Sequence, residues 1–191
     1  MNLIPNFLVY DNFYNNVDAV REYALSLPFT VTGNFPGART TAMSGANFDN
    51  CRSMIEQLMY RKINFWPSEY NTSFQFTTQD ATTWIHHDET MWAGVLYLTP
   101  DAPADSGTAI YRNNETGIFC WDSTNASTDY NNDSVLISDY SRWTPTIQAA
   151  NVYNRLIIYR GELYHSSVLA GFGNNQFDGR LSQTFFFNTD L

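Results

Sequence analysis

From Phe74 onward the chain runs in short aromatic and β-branched segments separated by polar turns, and this texture limits the fold more than any other feature. Phe74-Gln-Phe-Thr-Thr78 alternates, while Trp92-Ala-Gly-Val-Leu-Tyr-Leu98 is a nearly continuous apolar run stopped at Pro100. Thr108-Ala-Ile-Tyr111, Arg155-Leu-Ile-Ile-Tyr159 and Leu181-Ser-Gln-Thr-Phe-Phe-Phe187 follow. Strands in this number and spacing predict a sandwich or barrel.

The first part of the chain has a different texture. Phe7-Leu-Val-Tyr-Asp11 reads as a strand. Asn16 can cap a helix through Val17, Val20, Tyr23, Ala24 and Leu27, apolar positions at helical spacing, with Pro28 as the stop. Asn34-Phe-Pro-Gly-Ala-Arg39 reads as a turn. A second helix is expected over Asp49 to Tyr60, with Met54, Ile55, Leu58 and Met59 on its buried side. Residues 1–191 are thus expected to form one domain, with 1–70 as N-terminal helical support and 71–191 as the β core. Residues 113–150 are rich in Asn, Asp, Ser and Thr around Trp121 and Trp143, and read as a long insertion, partly mobile and partly folded over something. The insertion is a candidate substrate lid whose tryptophans would either line a pocket or simply pack the loop. Gly171-Phe-Gly-Asn-Asn-Gln lacks the third glycine of a dinucleotide loop and is read as a turn.

Composition narrows the classes. Aromatics make up 16% and charged residues 15% of the 191 residues, which supports a sizeable core and excludes global disorder. The net charge of −9 argues against a nucleic-acid partner, since phosphate contacts need clustered Lys and Arg. No stretch approaches the roughly 20 apolar residues of a membrane span. Met1-Asn-Leu-Ile-Pro-Asn-Phe7 has neither a basic patch nor a long apolar run, so no leader is expected. Cys51 and Cys120 fit a reducing compartment, and a cytoplasmic location is expected.

The chain has three histidines, and two of them lie beside two carboxylates in Trp84-Ile-His-His-Asp-Glu89. In a strand, residues i and i+2 share a face, so His86 would project with Asp88, and His87 with Glu89. Either pair offers one imidazole and one carboxylate to a metal, and only His165 remains as a further imidazole. Two imidazoles and one carboxylate form the facial triad of non-haem iron(II) oxygenases, with positions left open on the metal. Asp has the shorter arm, which favours His86 with Asp88 in a tight triad. After His165, Arg180 and Ser182 again stand at i and i+2. A guanidinium and a hydroxyl on one face suit a carboxylate, which Arg can hold with paired hydrogen bonds.

His86-x-Asp88, then His165, then Arg180-x-Ser182 resembles the 2-oxoglutarate/iron(II)-dependent dioxygenases of the double-stranded β-helix, or jelly-roll, fold. The chain looks most like the prolyl-hydroxylase-like branch, through Ala93-Gly-Val-Leu-Tyr97-Leu-Thr-Pro and Gly107-Thr-Ala-Ile-Tyr-Arg112. Tyr10-Asp-Asn-Phe-Tyr14, Val20-Arg-Glu-Tyr-Ala-Leu25 and Phe35-Pro-Gly-Ala-Arg39 resemble an uncharacterised bacterial and phage group within it. The resemblance spans residues 7–187 and is poor over the insertion. It implies a mainly β, cupin-like barrel with flanking helices. It also implies iron(II) on His86, Asp88 and His165, and 2-oxoglutarate with its distal carboxylate on Arg180 and Ser182. Tyr97 would either hydrogen-bond the cosubstrate or pack in the core. Many prolyl hydroxylases carry Lys where this chain has Arg180, which argues against reading prolyl hydroxylation directly from the resemblance.

The expected activity is oxidation by O2 of a small-molecule or peptidyl substrate, coupled to decarboxylation of 2-oxoglutarate to succinate. Two rivals stand beside it. One is a cupin-like protein that binds a metal or ligand without turnover. The other is zinc held by His86, His87 and His165 for hydrolysis, which requires a local kink because adjacent strand residues point apart.

Overall fold

The computed structural model describes residues 6–190. The part of the leader reading that rests on residues 1–5 lies outside the described residues. The N-terminal elements are β1 (Phe7–Tyr10), α1 (Val17–Ser26), β2 (Ala38–Arg39), α2 (Ala46–Met59) and β3 (Ile63–Phe65). Then follow β4 (Phe74–Thr77), β5 (Trp92–Tyr97), β6 (Thr108–Asn113), α3 (Ser134–Ser138), β7 (Trp143–Ala149), β8 (Leu156–Arg160), β9 (His165–Ser167) and β10 (Arg180–Thr189).

The strands make two antiparallel sheets. The larger runs β1-β8-β5-β10-β4-β2, with β3 also pairing with β10, and the smaller runs β7-β6-β9. This is the mainly β, double-stranded β-helix architecture expected. Pairing register decides what each face carries. Ser182 of β10 stands opposite Tyr97 of β5 on one side and Gln75 of β4 on the other, and Gln75 stands opposite Arg39 of β2. Side chains alternate along a strand. The even positions of β10 (Arg180, Ser182, Thr184, Phe186) therefore face the space between the sheets, where they line a cavity. Its odd positions Leu181, Phe185 and Phe187 join the outer core with Ala24 of α1 and Ile55 of α2. The helices thus seal the back of the large sheet. Burying a side chain such as Phe185 fully stabilises the fold by about 1.5–3 kcal/mol.

Helix α1 starts as its sequence predicts: the Asn16 side chain accepts from the Ala19 amide at 3.2 Å, capping one of the free N–H groups. Helix α2 starts at Ala46, earlier than the expected Asp49, after Gly45, which has φ 61° and no side-chain cap. Ala38–Arg39, expected as the end of a turn, forms the short edge strand β2. Gly37 makes this possible, with φ +70°, because a Cβ there would sit 2.0 Å from the Phe76 carbonyl oxygen.

The expected insertion is the largest departure. Its last part is β7, paired along β6 from Asn113↔Trp143 to Thr108↔Ala149 with one register shift. The remainder carries α3 and several single 3₁₀ turns. Their starts are capped by Asn125, Asp129, Asp133 and Asp139, whose side chains accept from amides two or three residues on. The polar composition that suggested an irregular loop is therefore a series of caps. The segment packs on the outer face of the small sheet, where Trp143 and Leu136 cluster with Ile85, Tyr111 and Tyr164. Trp143 also donates its indole N–H to the Leu136 carbonyl, 3.0 Å. Among the described residues no helix is long and apolar enough to cross a membrane.

Candidate metal centre

His86, Asp88 and His165 meet, with one ligand atom from each lying within 4.8 Å of the others. The way they meet differs from the expectation. Residues 83–89 do not form a strand; His86 makes a single bridge to His165, the first residue of β9. The bridge is reciprocal, His86 N–H to His165 C=O at 3.0 Å and His165 N–H to His86 C=O at 2.8 Å. Asp88 is tied by its own amide to the Gly161 carbonyl, 2.8 Å. That approach needs glycine, because a Cβ on residue 161 would stand 2.0 Å from the Thr90 carbonyl oxygen and 3.3 Å from the Asp88 Cβ.

Both imidazoles are oriented through the nitrogen that faces away from the cluster. Nδ1 of His86 lies 3.1 Å from the Trp84 carbonyl and Nδ1 of His165 lies 2.7 Å from the Leu163 carbonyl. A carbonyl only accepts, so each Nδ1 carries the proton, and each Nε2 keeps its lone pair. Metal-binding histidines are held in this way. Burial, reinforced by the neighbouring imidazole of His165, pushes the His86 pKa down to about 4, so the ring is neutral near pH 7. Burial works against ionisation of Asp88. Its contact with His165, with His86 and Arg39 in support, nevertheless holds the carboxyl below its ordinary range. His165 Nε2 lies 3.4 Å from an Asp88 carboxylate oxygen. Two imidazoles and one carboxylate, with room left in front of them, fit a divalent transition metal with open positions.

His87 has a different environment. Its Nε2 is bound to Asp129 at 3.1 Å, its ring stacks on Trp121 with centroids 4.4 Å apart, and Tyr164 meets it edge-on. Its backbone N–H and C=O are both taken by the Asn131 side chain, at 3.1 and 3.0 Å. The His86–His87–His165 zinc set is therefore not assembled. Trp121 and Trp143, weighed as pocket walls, are absent from the cavity lining, where this segment contributes Asn131.

The cluster opens into a cavity of about 600 Å³, shared with Arg180 and Ser182. Arg180 is buried; its Nε donates to the Ser106 carbonyl at 3.1 Å, and its side chain also interacts with the Tyr97 hydroxyl. Ser182 Oγ has only a long 3.5 Å contact, to the Gln75 carbonyl. The Tyr97 ring lies under the Arg180 guanidinium, 5.5 Å from carbon to centroid, and its hydroxyl donates to Thr108 Oγ1 at 2.9 Å, joining the two sheets. A second buried guanidinium, Arg39, also lines the cavity. It enters the sequence reading only within a resembling segment. The available signal was a lone cation two residues after a Pro-Gly turn, in a chain with only ten Lys and Arg.

A model of a family of unknown function, DUF6445, matches residues 5–187. The chain belongs to this family. No curated protein matches this DUF6445 chain by sequence. Solved structures do match by shape. HygX from Streptomyces hygroscopicus, with nickel and 2-oxoglutarate bound, has 10% identity and a TM-score of 0.60 over 95% of this chain and 82% of that one. A prolyl hydroxylase from Trichoplax adhaerens, in complex with a hypoxia-inducible factor peptide fragment, has 11% identity and a TM-score of 0.58 over 95% and 83%. A Pseudomonas putida prolyl-4-hydroxylase has 16% identity and a TM-score of 0.55 over 95% and 91%. The DUF6445 chain shares its fold with HygX and these two prolyl hydroxylases.

Proposed function

We propose that this chain is an oxygenase dependent on iron(II) and 2-oxoglutarate. One atom of O2 enters a substrate C–H bond to give an alcohol, the other enters succinate, and 2-oxoglutarate loses CO2. When bound, iron and 2-oxoglutarate supply the oxidising power. The observation that carries the reading is the pairing of two Nδ1-anchored histidines and Asp88 with a buried guanidinium in one cavity. His86, Asp88 and His165 would hold the metal. Arg180, anchored through Nε, would grip the distal carboxylate of 2-oxoglutarate with its guanidinium fork. Ser182, whose hydroxyl has no short partner, would donate to the same carboxylate. Tyr97 supports the guanidinium from below. The substrate is a small molecule or a peptidyl side chain, and the setting is cytoplasmic, which suits the free thiols Cys51 and Cys120.

Succinate formation decides the matter. With iron(II), 2-oxoglutarate and candidate substrates, the protein is expected to release succinate, and His165→Ala to release none. If manganese(II) and 2-oxoglutarate bind without any succinate from a broad substrate set, the chain is instead a cupin-like binding protein.

A further inference from the structure

We propose that Arg39 is the receptor for a carboxylate on the substrate, and that the substrate is a small acid with an aromatic or apolar body. This rests on the oxygenase reading for the word substrate, but the binding site itself is argued from its own geometry. Arg39 is 8% exposed and sits in β2, in the cross-strand row with Gln75 and Ser182 that faces the cavity. Its Nε donates to Gln75 Oε1 at 2.8 Å, and Gln75 is in turn fixed by donating to the Pro36 carbonyl at 2.7 Å. The guanidinium lies over the Phe35 ring at 4.0 Å, with Tyr70 and Phe186 at 5.7 and 5.8 Å. Among the described residues, no acceptor hydrogen-bonds its Nη atoms and no carboxylate lies within ion-pair distance. Asp88 acts on it only through space.

A buried cation without a carboxylate partner is costly, and a chain with 19 acidic residues had many chances to supply one. Instead the guanidinium is fixed at one end and left open at the other. A rigid fork of this kind matches a carboxylate with two parallel hydrogen bonds. The Arg180 fork suits the cosubstrate; the second, two strands away in the same sheet, has no ligand assigned. The rings around Arg39 supply an apolar wall beside the charge, so the ligand carries both features. The cavity of about 600 Å³ falls in the usual range for small-molecule sites, roughly 300–1,000 Å³.

The test is binding without oxygen. Protein saturated with manganese(II) and the unreactive analogue N-oxalylglycine is titrated calorimetrically with 3-phenylpropionate and with its neutral amide. The acid is expected to bind about tenfold more tightly than the amide or better. Arg39→Gln should erase that preference while N-oxalylglycine still binds, and Arg39→Lys, which keeps the charge without the fork, should retain part of it. Arg180→Gln should lose N-oxalylglycine instead. Equal binding of acid and amide by the unmodified protein overturns the proposal without any variant. So does an acid preference that survives Arg39→Gln, or loss of N-oxalylglycine in that variant. If the acid site behaves as expected while no acid ever yields succinate, the Arg39 site stands and the oxygenase reading falls.

Discussion

The two sides of the loop over residues 83–89 hold adjacent histidines with opposite fates. On the cavity side, His86 has its Nδ1 pinned to a carbonyl and its Nε2 left open beside Asp88 and His165. On the back side, His87 has its Nε2 taken by Asp129 and its ring pressed between Trp121 and Tyr164. The residue type is the same; the difference is which nitrogen the surroundings occupy. A histidine becomes a metal donor when its outer nitrogen is held and its inner one is left free. Here the polar segment after β6 grips the loop, since Asn131, which also lines the cavity, takes both backbone groups of His87. That segment therefore serves the site by bracing the loop.

The comparison breaks most visibly when a cavity-side group is removed. His86→Ala and Asp88→Ala should each abolish metal binding, measured by manganese(II) titration, while His87→Ala should leave a measurable site. Loss of binding in His87→Ala with retention in His86→Ala would reverse the assignment of the two faces.

Acid titration sharpens it next. His86 has a folded pKa of about 4, below its unfolded value near 6.5, so the unfolded chain binds the extra proton first. Metal-free protein should lose stability as pH falls from about 6.5 toward 4, by up to about 3 kcal/mol, and His86→Gln should flatten that slope in chemical denaturation. Asp88, whose pKa is lowered, adds a further loss only below its ordinary range near 3.8.

On the back side the effect should appear as stability. His87→Ala removes a buried stacked ring and should cost about 2–3 kcal/mol in denaturant unfolding. The smallest expected change is that of Asn131→Ala, which frees both backbone groups of His87 and should cost about 1–2 kcal/mol. It should also weaken manganese(II) affinity by about tenfold, because the loop carrying Asp88 loses its brace. A full loss of stability with unchanged metal affinity would show that the brace does not reach the site.

Much of the molecule was open to a linear reading. The strands from Phe74 onward, the Asn16 cap and the order of the site residues depend on neighbours along the chain, and their periodicity and side-chain chemistry are visible there. Strand alternation also put Arg180 and Ser182 on one face, as β10 carries them. For His86 and Asp88 the same rule predicted a shared strand face, whereas their segment is an irregular loop tied to His165 and Gly161, and it is this loop that brings the two side chains together with His165. β7 was hidden because Trp143–Ala149 has exposed positions along an edge strand and shows little apolar run.

The sequence by itself determined which local elements form and which chemical groups are available, because hydrogen-bond caps, turn glycines and side-chain alternation act over a few residues. Only the tertiary structure decided which histidine turns inward, that Arg39 is buried with its fork open, and that Asn131 braces the loop. Those outcomes depend on partners dozens of residues away, whose positions follow from the pairing of the two sheets.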